Sequence, residues 1–250
     1  MKTVAIIPAR YDSKRFKGKP LALIAGKPMI QHVYQRSKEC PDLEQVYVAT
    51  DDDRIYECVC GFGGKVIMTD KNHLSGTDRI AEAAEKITLA PQDIVVNIQG
   101  DQPSFPPSIL SDLMRPLVED PMIPMSTLIH KIEDEQELRN PNHVKVTFDR
   151  KGYALYFSRL PIPFTRDQTS KPIHFKHLGL YAYRKEFLMT FTNLPYGVWE
   201  RVEQLEQLRA LEHGFKIKVV ETEYDSIEVD TPGDVAIVEE KLSQINNPGI

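Results

Sequence analysis

Two hydrophobic rhythms run through the first half of the chain. Short apolar stretches occur at Val4–Ile7, Val46–Ala49, Lys65–Met68 and Ile94–Ile98. The first three are each followed by a segment that reads as a helix. Asp52–Phe62 shows this with Ile55, Val59 and Phe62. A helix is also expected from Pro28 onward, and another capped by Ser75 or Thr77 and running through Lys86. The run Ile94–Ile98 (IVVNI) has almost no polar interruption, which fits a parallel strand covered on both faces. Strand–helix alternation of this kind predicts an α/β fold, a doubly wound and mainly parallel sheet with helices on both faces.

After about residue 122 the rhythm changes. Met125–Ile129, Val144–Phe148, Tyr153–Phe157 and Leu178–Tyr183 read as strands with short connections, which predicts a smaller antiparallel or mixed lobe. Ser158–Pro172, rich in Pro, Arg, Thr and Asp, reads as a long loop of a functional kind. A helix is expected over Val198–Glu212, a strand over Lys216–Glu221, and a last helix opening at Thr231–Pro232. The chain therefore reads as one domain of two lobes, roughly 1–121 with 216–250, and 122–215.

Composition narrows the function classes. With 250 residues, 41% of them hydrophobic, the chain has enough apolar material for a sizeable core. A formal charge of -5 lacks the basic face that nucleic acid demands. No apolar run approaches the roughly 18 residues of a membrane span, and the N-terminal patch is too short for a signal peptide. Three cysteines, Cys40, Cys58 and Cys60, suit a reduced cytoplasm; no second pair joins Cys58 and Cys60 to make a metal site.

Against this acidic background, Arg10, Lys14, Arg15, Lys17 and Lys19 crowd one loop between the first strand and the first helix. Such a loop is where α/β folds hold anions, and a triphosphate would satisfy the mutually repelling cations. Pro20 is expected to hold Lys19 extended. The phosphate-loop pattern G-x-x-x-x-G-K-[ST] and the dinucleotide fingerprint G-x-G-x-x-G are both missing here, so an NAD-dependent oxidoreductase is disfavoured. Asp101, in "VNIQGDQP", ends the most buried strand, where an open sheet faces its ligand; beside a triphosphate its carboxylate would suit Mg²⁺. Asn97 and Gln99 put polar side chains on that strand. Asp230, in "IEVDTPGD", follows a short apolar strand and could supply a second carboxylate. In the second half Arg159 ends a strand, His177 and Tyr181 share parity on the next, and Glu206 and Gln207 lie on a helix striped by Leu205, Leu208 and Leu211. Together they could hold a polyhydroxylated acid, Arg159 taking its carboxylate.

The strings "IPARYDSKRFKGKPL", "SGTDRI", "NIQGDQP", "GYALYFSR", "HLGLYAYR", "LEQLRALEHG" and "VDTPGD" resemble, in order, those of the 3-deoxy-manno-octulosonate (Kdo) cytidylyltransferases, over nearly the whole chain from Thr3 to about Glu240. The opening loop and the VDTP ending are shared more loosely with cytidylyltransferases for sialic acids. The resemblance implies a nucleotidyltransferase fold, transfer from CTP to the sugar acid with release of diphosphate, Mg²⁺ as cofactor, a cytoplasmic homodimer built on the second lobe, and a product used in lipopolysaccharide synthesis. It implies that Arg10, Arg15 and Lys19 contact the CTP phosphates, with Ala9 and Ser13 near the nucleotide and Ser75, Gly76 and Thr77 near the cytosine. Asp101 and Asp230 would hold metal. Gln99, Arg159, His177, Tyr181, Glu206 and Gln207 would contact the sugar acid. The competing readings are a cytidylyltransferase for a sialic-acid-type sugar and a non-catalytic nucleotide-binding module.

Two departures stand out. Gln102 occupies a position where the resembled family commonly has Glu, and "EYDSIEVDTP" replaces a small, Gly-rich approach to VDTP. Asp225 and Glu228 thereby add negative charge near the expected sugar site. A carboxylate there could pair with an ammonium group, as on the 8-amino sugar that one branch of the family activates.

Overall fold

The computed structural model describes residues 1–12, 16–166, 172–225, 227–229 and 231–246. The chain divides into two compact units, Met1–Ser111 with Ser226–Ile250, and Asp112–Asp225. Strand β11, expected with the nucleotide lobe, falls in the second unit.

In the first unit β1 (Thr3–Ala9) leads through a short 3-10 turn (Lys19–Leu21) to a small hairpin of β2 (Leu23–Ile24) and β3 (Lys27–Pro28). Then follow α1 (Met29–Lys38), β4 (Gln45–Thr50), α2 (Asp53–Gly61), β5 (Val66–Met68), α3 (Gly76–Lys86) and β6 (Ile94–Asn97). The strands lie in the order β5–β4–β1–β6, all parallel. Every residue of β6 is buried, which explains its unbroken apolar run. Gly100 lies just beyond; a Cβ there would stand 3.2 Å from Pro8 O, so this residue type lets the ends of β6 and β1 come together. The C-terminal helix of the unit packs with Val229 on the hairpin: Ile24, Met29, Val229, Val238 and Leu242 form one buried group. The C-terminal segment thus returns to the loop that opens the chain.

Helix α4 (Ser108–Glu119) carries the chain into the second unit. There follow β7 (Met125–Lys131), α5 (Glu135–Arg139), β8 (Lys145–Phe148), β9 (Ala154–Ser158), β10 (Phe175–Arg184), α6 (Lys185–Asn193), α7 (Val198–Glu203), α8 (Leu208–Glu212) and β11 (Ile217–Glu221); α9 (Asp234–Asn246) closes the chain in the first unit. β10 runs antiparallel to β7 and to β8, and β8 antiparallel to β9. β11 adds a parallel edge on β7. The mainly parallel sheet and the antiparallel pairings of the sequence reading are both present.

Two local expectations are corrected. The helix predicted over Val198–Glu212 is two helices, because Gln204 adopts a left-handed conformation (φ 54°, ψ 47°) that ends α7. Glu206 and Gln207 accordingly sit in the turn between α7 and α8 and not on a continuous helix face. Lys19 is not extended: it opens the 3-10 turn with Pro20 behind it, a position where a missing N–H costs nothing. The helix α9 starts three residues after Thr231, whose amide and hydroxyl both donate to Asp234.

Candidate active site

A cavity of about 290 Å³ opens at the carboxyl ends of β1 and β6, lined among others by Ala9, Arg10, Lys19, Gln99 and Asp101. This is the edge at which parallel sheets bind ligands. Gly18, in the left-handed region at φ +72°, turns the basic loop back, and its amide donates to Tyr11 O at 2.8 Å. The turn delivers Lys19 Nζ to 2.7 Å from Asp101 Oδ2, with side chains only 14% and 24% exposed. The loop cation and the strand-end acid, 82 residues apart in sequence, meet in the cavity.

Arg10 is held from behind. Its guanidinium donates to His73 O and, at 3.3 Å, to Ser75 O. Its Nε is buried and makes no hydrogen bond to the described residues. Burial pulls its pKa below the usual value and the nearby Arg79 charge adds to this, while Asp51 and Asp78 oppose it. A cation so placed gains from an arriving anion. Arg79 is wholly buried and reaches Asp51 at 2.8 Å and Thr69 Oγ1. The loop before α3 is fastened by Glu82, which accepts from Asp70 N at 2.8 Å, from Lys86 at 2.6 Å and contacts His73. Burial alone would raise the Glu82 carboxyl, but Lys86, the Asp70 amide and His73 together hold it down at about 2.

Gly76 lines the cavity at the start of α3. Ser75 caps that helix, accepting from Asp78 N while Asp78 accepts from Ser75 N. Thr77 is buried in the first turn. A second cavity of about 380 Å³ shares Arg10 and Asp12 with the first and adds Asp51, Asp52 and Lys71.

Oxygen ligands prevail around Asp101: the lining supplies carboxylate and amide oxygens, and no thiol or imidazole. This donor set fits Mg²⁺, which keeps waters and takes one or two carboxylates with phosphate oxygens. Among the described residues no three His, Cys, Asp or Glu groups converge. Ser13, Arg15 and Asp230 lie outside the described residues.

The segment before Asp230 is nevertheless fixed. Val229 N donates to Asp101 O at 2.9 Å, and the buried Gln102 donates through Nε2 to Glu228 Oε1 at 3.1 Å. Gln102 and Glu228, one from each of the two departures noted in the sequence, therefore touch.

In the second unit His177 and Tyr181 do meet, ring centroids 5.1 Å apart, although Gly179 bulges the strand between them. His177 Nε2 lies 2.9 Å from Thr127 Oγ1, and Phe157 packs edge-on against the ring. The ring keeps some solvent exposure, yet the aromatic packing prevails: burial pushes its pKa down to about 3. Burial, then Tyr183 and the Glu206 charge, raise the Tyr181 phenol well above its usual value, so both side chains are neutral hydrogen-bonding groups. Gln207 is 5% exposed, and its Nε2 is buried with no hydrogen bond to the described residues. Arg159 donates to Glu203 O, Pro141 O and Gln204 O, which ties the end of β9 to the α7–α8 turn. Asp225 is paired with the buried Lys176 at 2.5 Å, a lysine that also contacts Glu137.

Sequence reasoning missed Pro8, Asp12 and Pro20 in the cavity wall, and the Glu82 and Arg79 supports of Arg10. The signal for the last was present: "SGTDRI" puts an arginine on the apolar face of α3. It also missed Lys145, fully buried and donating to Asn140 O and His143 O.

A family profile described as Cytidylyltransferase matches residues 4–217. The chain is 57% identical over 241 residues to a 3-deoxy-manno-octulosonate cytidylyltransferase of Syntrophus aciditrophicus, spanning 96% of this chain and 97% of that one. It is 53% identical over 244 residues to an 8-amino-3,8-dideoxy-manno-octulosonate cytidylyltransferase of Shewanella piezotolerans, spanning 97% and 99%. Among solved structures it is similar to a CMP:2-keto-3-deoxy-manno-octonic acid synthetase complexed with CTP, at a TM-score of 0.92 and 43% identity over 98% of this chain and 100% of the other. No helix of the described residues is long and apolar enough to cross a membrane.

Proposed function

Because the chain belongs to the cytidylyltransferase family, we propose that it joins the cytidylyl group of CTP to a 3-deoxy-manno-octulosonate-type sugar acid, giving the CMP-sugar and diphosphate for lipopolysaccharide synthesis. The observation that carries this reading is the cavity where Lys19 meets Asp101 at the end of the central parallel strands.

The anomeric hydroxyl of the sugar attacks the α-phosphorus of CTP in line. A new O–P bond forms as the hydroxyl gives up its proton to solvent, the bond from the α-phosphorus to the bridging oxygen breaks, and diphosphate leaves with that electron pair. Catalysis of this kind is mostly positioning and charge stabilisation. Lys19 and Arg10, with Arg15, hold the phosphates and spread the charge that develops on the leaving group. Ala9 and Ser13 lie along the nucleotide, Ser75, Gly76 and Thr77 lie near the cytosine, and the second cavity, which shares Arg10 and Asp12 with the first, gives further polar room for the nucleotide. Asp101 and Asp230 would hold Mg²⁺, whose chemistry when bound is to polarise the α-phosphate and acidify the attacking hydroxyl. Asp101 must then share its carboxylate between that cation and Lys19.

The sugar acid falls to Gln99, Arg159, His177, Tyr181, Glu206 and Gln207. The buried amide of Gln207 favours a hydroxyl acceptor, and the neutral His177 and Tyr181 exchange hydrogen bonds without charge. We assign the protein to the cytoplasm as a homodimer, without nucleic-acid or membrane partners.

The test is diphosphate release from CTP and Mg²⁺ with Kdo, its 8-amino analogue and N-acetylneuraminate in parallel. Release with either octulosonate, and little with N-acetylneuraminate, is expected. Release only with N-acetylneuraminate would move the protein to the sialic-acid reading, and CTP binding without release in any arm would make it a binding module.

A further inference from the structure

His177 and Tyr181 are four residues apart, yet they meet as strand residues two apart would, and the cause is a bulge in β10. His177 stands opposite Ile129 of β7 and Tyr181 opposite Thr127, so Leu178, Gly179 and Leu180 together face the single residue Leu128. Gly179 makes this bend in the left-handed region, at φ 69°, which a side chain would resist. The bulge brings the Gly179 amide onto the His177 ring, where its N–H donates to Nε2 at 3.2 Å. The buried hydroxyl of Thr127 lies 2.9 Å from the same nitrogen and 2.7 Å from Leu180 O.

Resting on the function proposed above, we propose that Gly179 is a positioning residue: its amide fixes His177 as the Nδ1–H tautomer, so that the ring meets the sugar acid as a hydrogen-bond donor.

The argument turns on which neighbour can move. An amide N–H only donates, and its direction is set by the backbone. The Thr127 hydroxyl rotates and can give its one proton to Nε2 or to Leu180 O. The fixed donor therefore decides. A proton on Nε2 would set two N–H groups against each other and leave the amide unsatisfied inside the sheet. A lone pair on Nε2 accommodates the amide in either setting of the hydroxyl. Burial keeps the ring neutral, with a pKa of about 3, so it carries one proton, and that proton sits on Nδ1. Phe157, edge-on at 5.3 Å, and Tyr181, at 5.1 Å, hold the ring in place. Nδ1 makes no hydrogen bond to the described residues, which leaves its N–H for a carboxylate or hydroxyl oxygen of the sugar.

The test is long-range nitrogen–proton correlation NMR of the full chain, labelled in its histidines, near neutral pH and without substrate. The His177 signals are those that vanish in H177N. The wild-type protein is expected to show a protonated Nδ1 and a bare Nε2. T127V should keep this pattern, because the amide remains. G179A should move the population toward Nε2–H. It should also raise the KM for the sugar acid about fivefold, the size of one neutral hydrogen bond, with a smaller change in kcat. H177N, whose amide nitrogen replaces Nδ1, should bind the sugar acid better than H177Q, whose amide nitrogen replaces Nε2. A protonated Nε2 in the wild-type protein would overturn the proposal. A reversed tautomer in T127V would pass the role from Gly179 to Thr127, and H177Q matching or exceeding H177N would remove the donor role. If G179A does not fold, the wild-type and T127V spectra decide. Absence of turnover with every sugar acid would instead overturn the function on which this rests, while the tautomer is still read on the protein alone.

Discussion

Lys19 Nζ and Asp101 Oδ2 stand 2.7 Å apart in a cavity that neither residue's own loop could build alone. One side chain attracts phosphate, the other a hard cation, and in the absence of both they neutralise each other. Each is thereby aimed before substrate arrives.

Lys19→Met is expected to lower kcat/KM by a factor on the order of 100 or more, with Lys19→Arg recovering part of it, because one preorganised charge on a phosphoryl-transfer site is worth that much. Asp101→Asn should lose most turnover while keeping the far-UV spectrum of the folded chain. Steady-state kinetics on the three variants check this, and near-normal rates for Asp101→Asn at saturating Mg²⁺ would remove Asp101 from the site.

Glu82 acts at one remove, through the loop whose carbonyls at His73 and Ser75 orient Arg10. Its pKa is about 2 in the folded chain against 4.5 ordinarily. The folded state thus favours the ionised carboxyl, and the stability it lends is complete above about pH 4.5 and disappears as pH falls toward 2. Glu82→Gln should flatten the acid side of the stability curve and raise the KM for CTP several-fold with a smaller effect on kcat. Melting temperature against pH and initial rates against CTP concentration are the measurements.

His177 has the same proton preference from a different cause, burial disfavouring its charged form. Its folded pKa of about 3 lies below the ordinary 6.5, so the unfolded chain binds the extra proton between those values. Stability is therefore full above about pH 6.5 and falls as pH drops toward 3. The ring resonances of His177 should not titrate between pH 8 and 5, and a midpoint near 6.5 in an NMR titration would show that the ring is solvated and not packed on Phe157 and Tyr181.

These strands were legible because apolar runs separated by turn residues leave few alternatives, and β1, β4 and β6 fall where the runs lie. The break at Gln204 was not. A left-handed residue is commonly signalled by Gly or Asn, and here a glutamine adopts it while the leucine periodicity continues across. Helix α4 escaped notice because Pro116 interrupts it, and α6 because Phe187, Leu188 and Phe191 follow directly on a strand of similar composition. The site's cations and acids were each visible as residue types at strand ends. Their pairing was not, since Lys19–Asp101 and Gln102–Glu228 join segments 82 and 126 residues apart and no local pattern records such a contact.

The α7–α8 turn rests on a buried ion pair. Arg209 donates twice to Glu200, at 2.6 and 2.9 Å, with side chains 4% and 7% exposed. Glu200→Ala would leave the guanidinium buried and unpaired, a loss of about 3–5 kcal/mol. The melting temperature is expected to drop on the order of 10 °C. Thermal unfolding of the variant checks this, and an unchanged midpoint would mean that the pair opens to water.

The most direct measurement is phosphorus NMR of a reaction containing the protein, CTP, Mg²⁺ and an octulosonate. The account predicts that the triphosphate signals fall while free diphosphate and one phosphodiester signal, the sugar linked to CMP, rise in equal amounts. Release of inorganic phosphate in place of diphosphate, or CTP that persists unchanged beside both octulosonates, would contradict it.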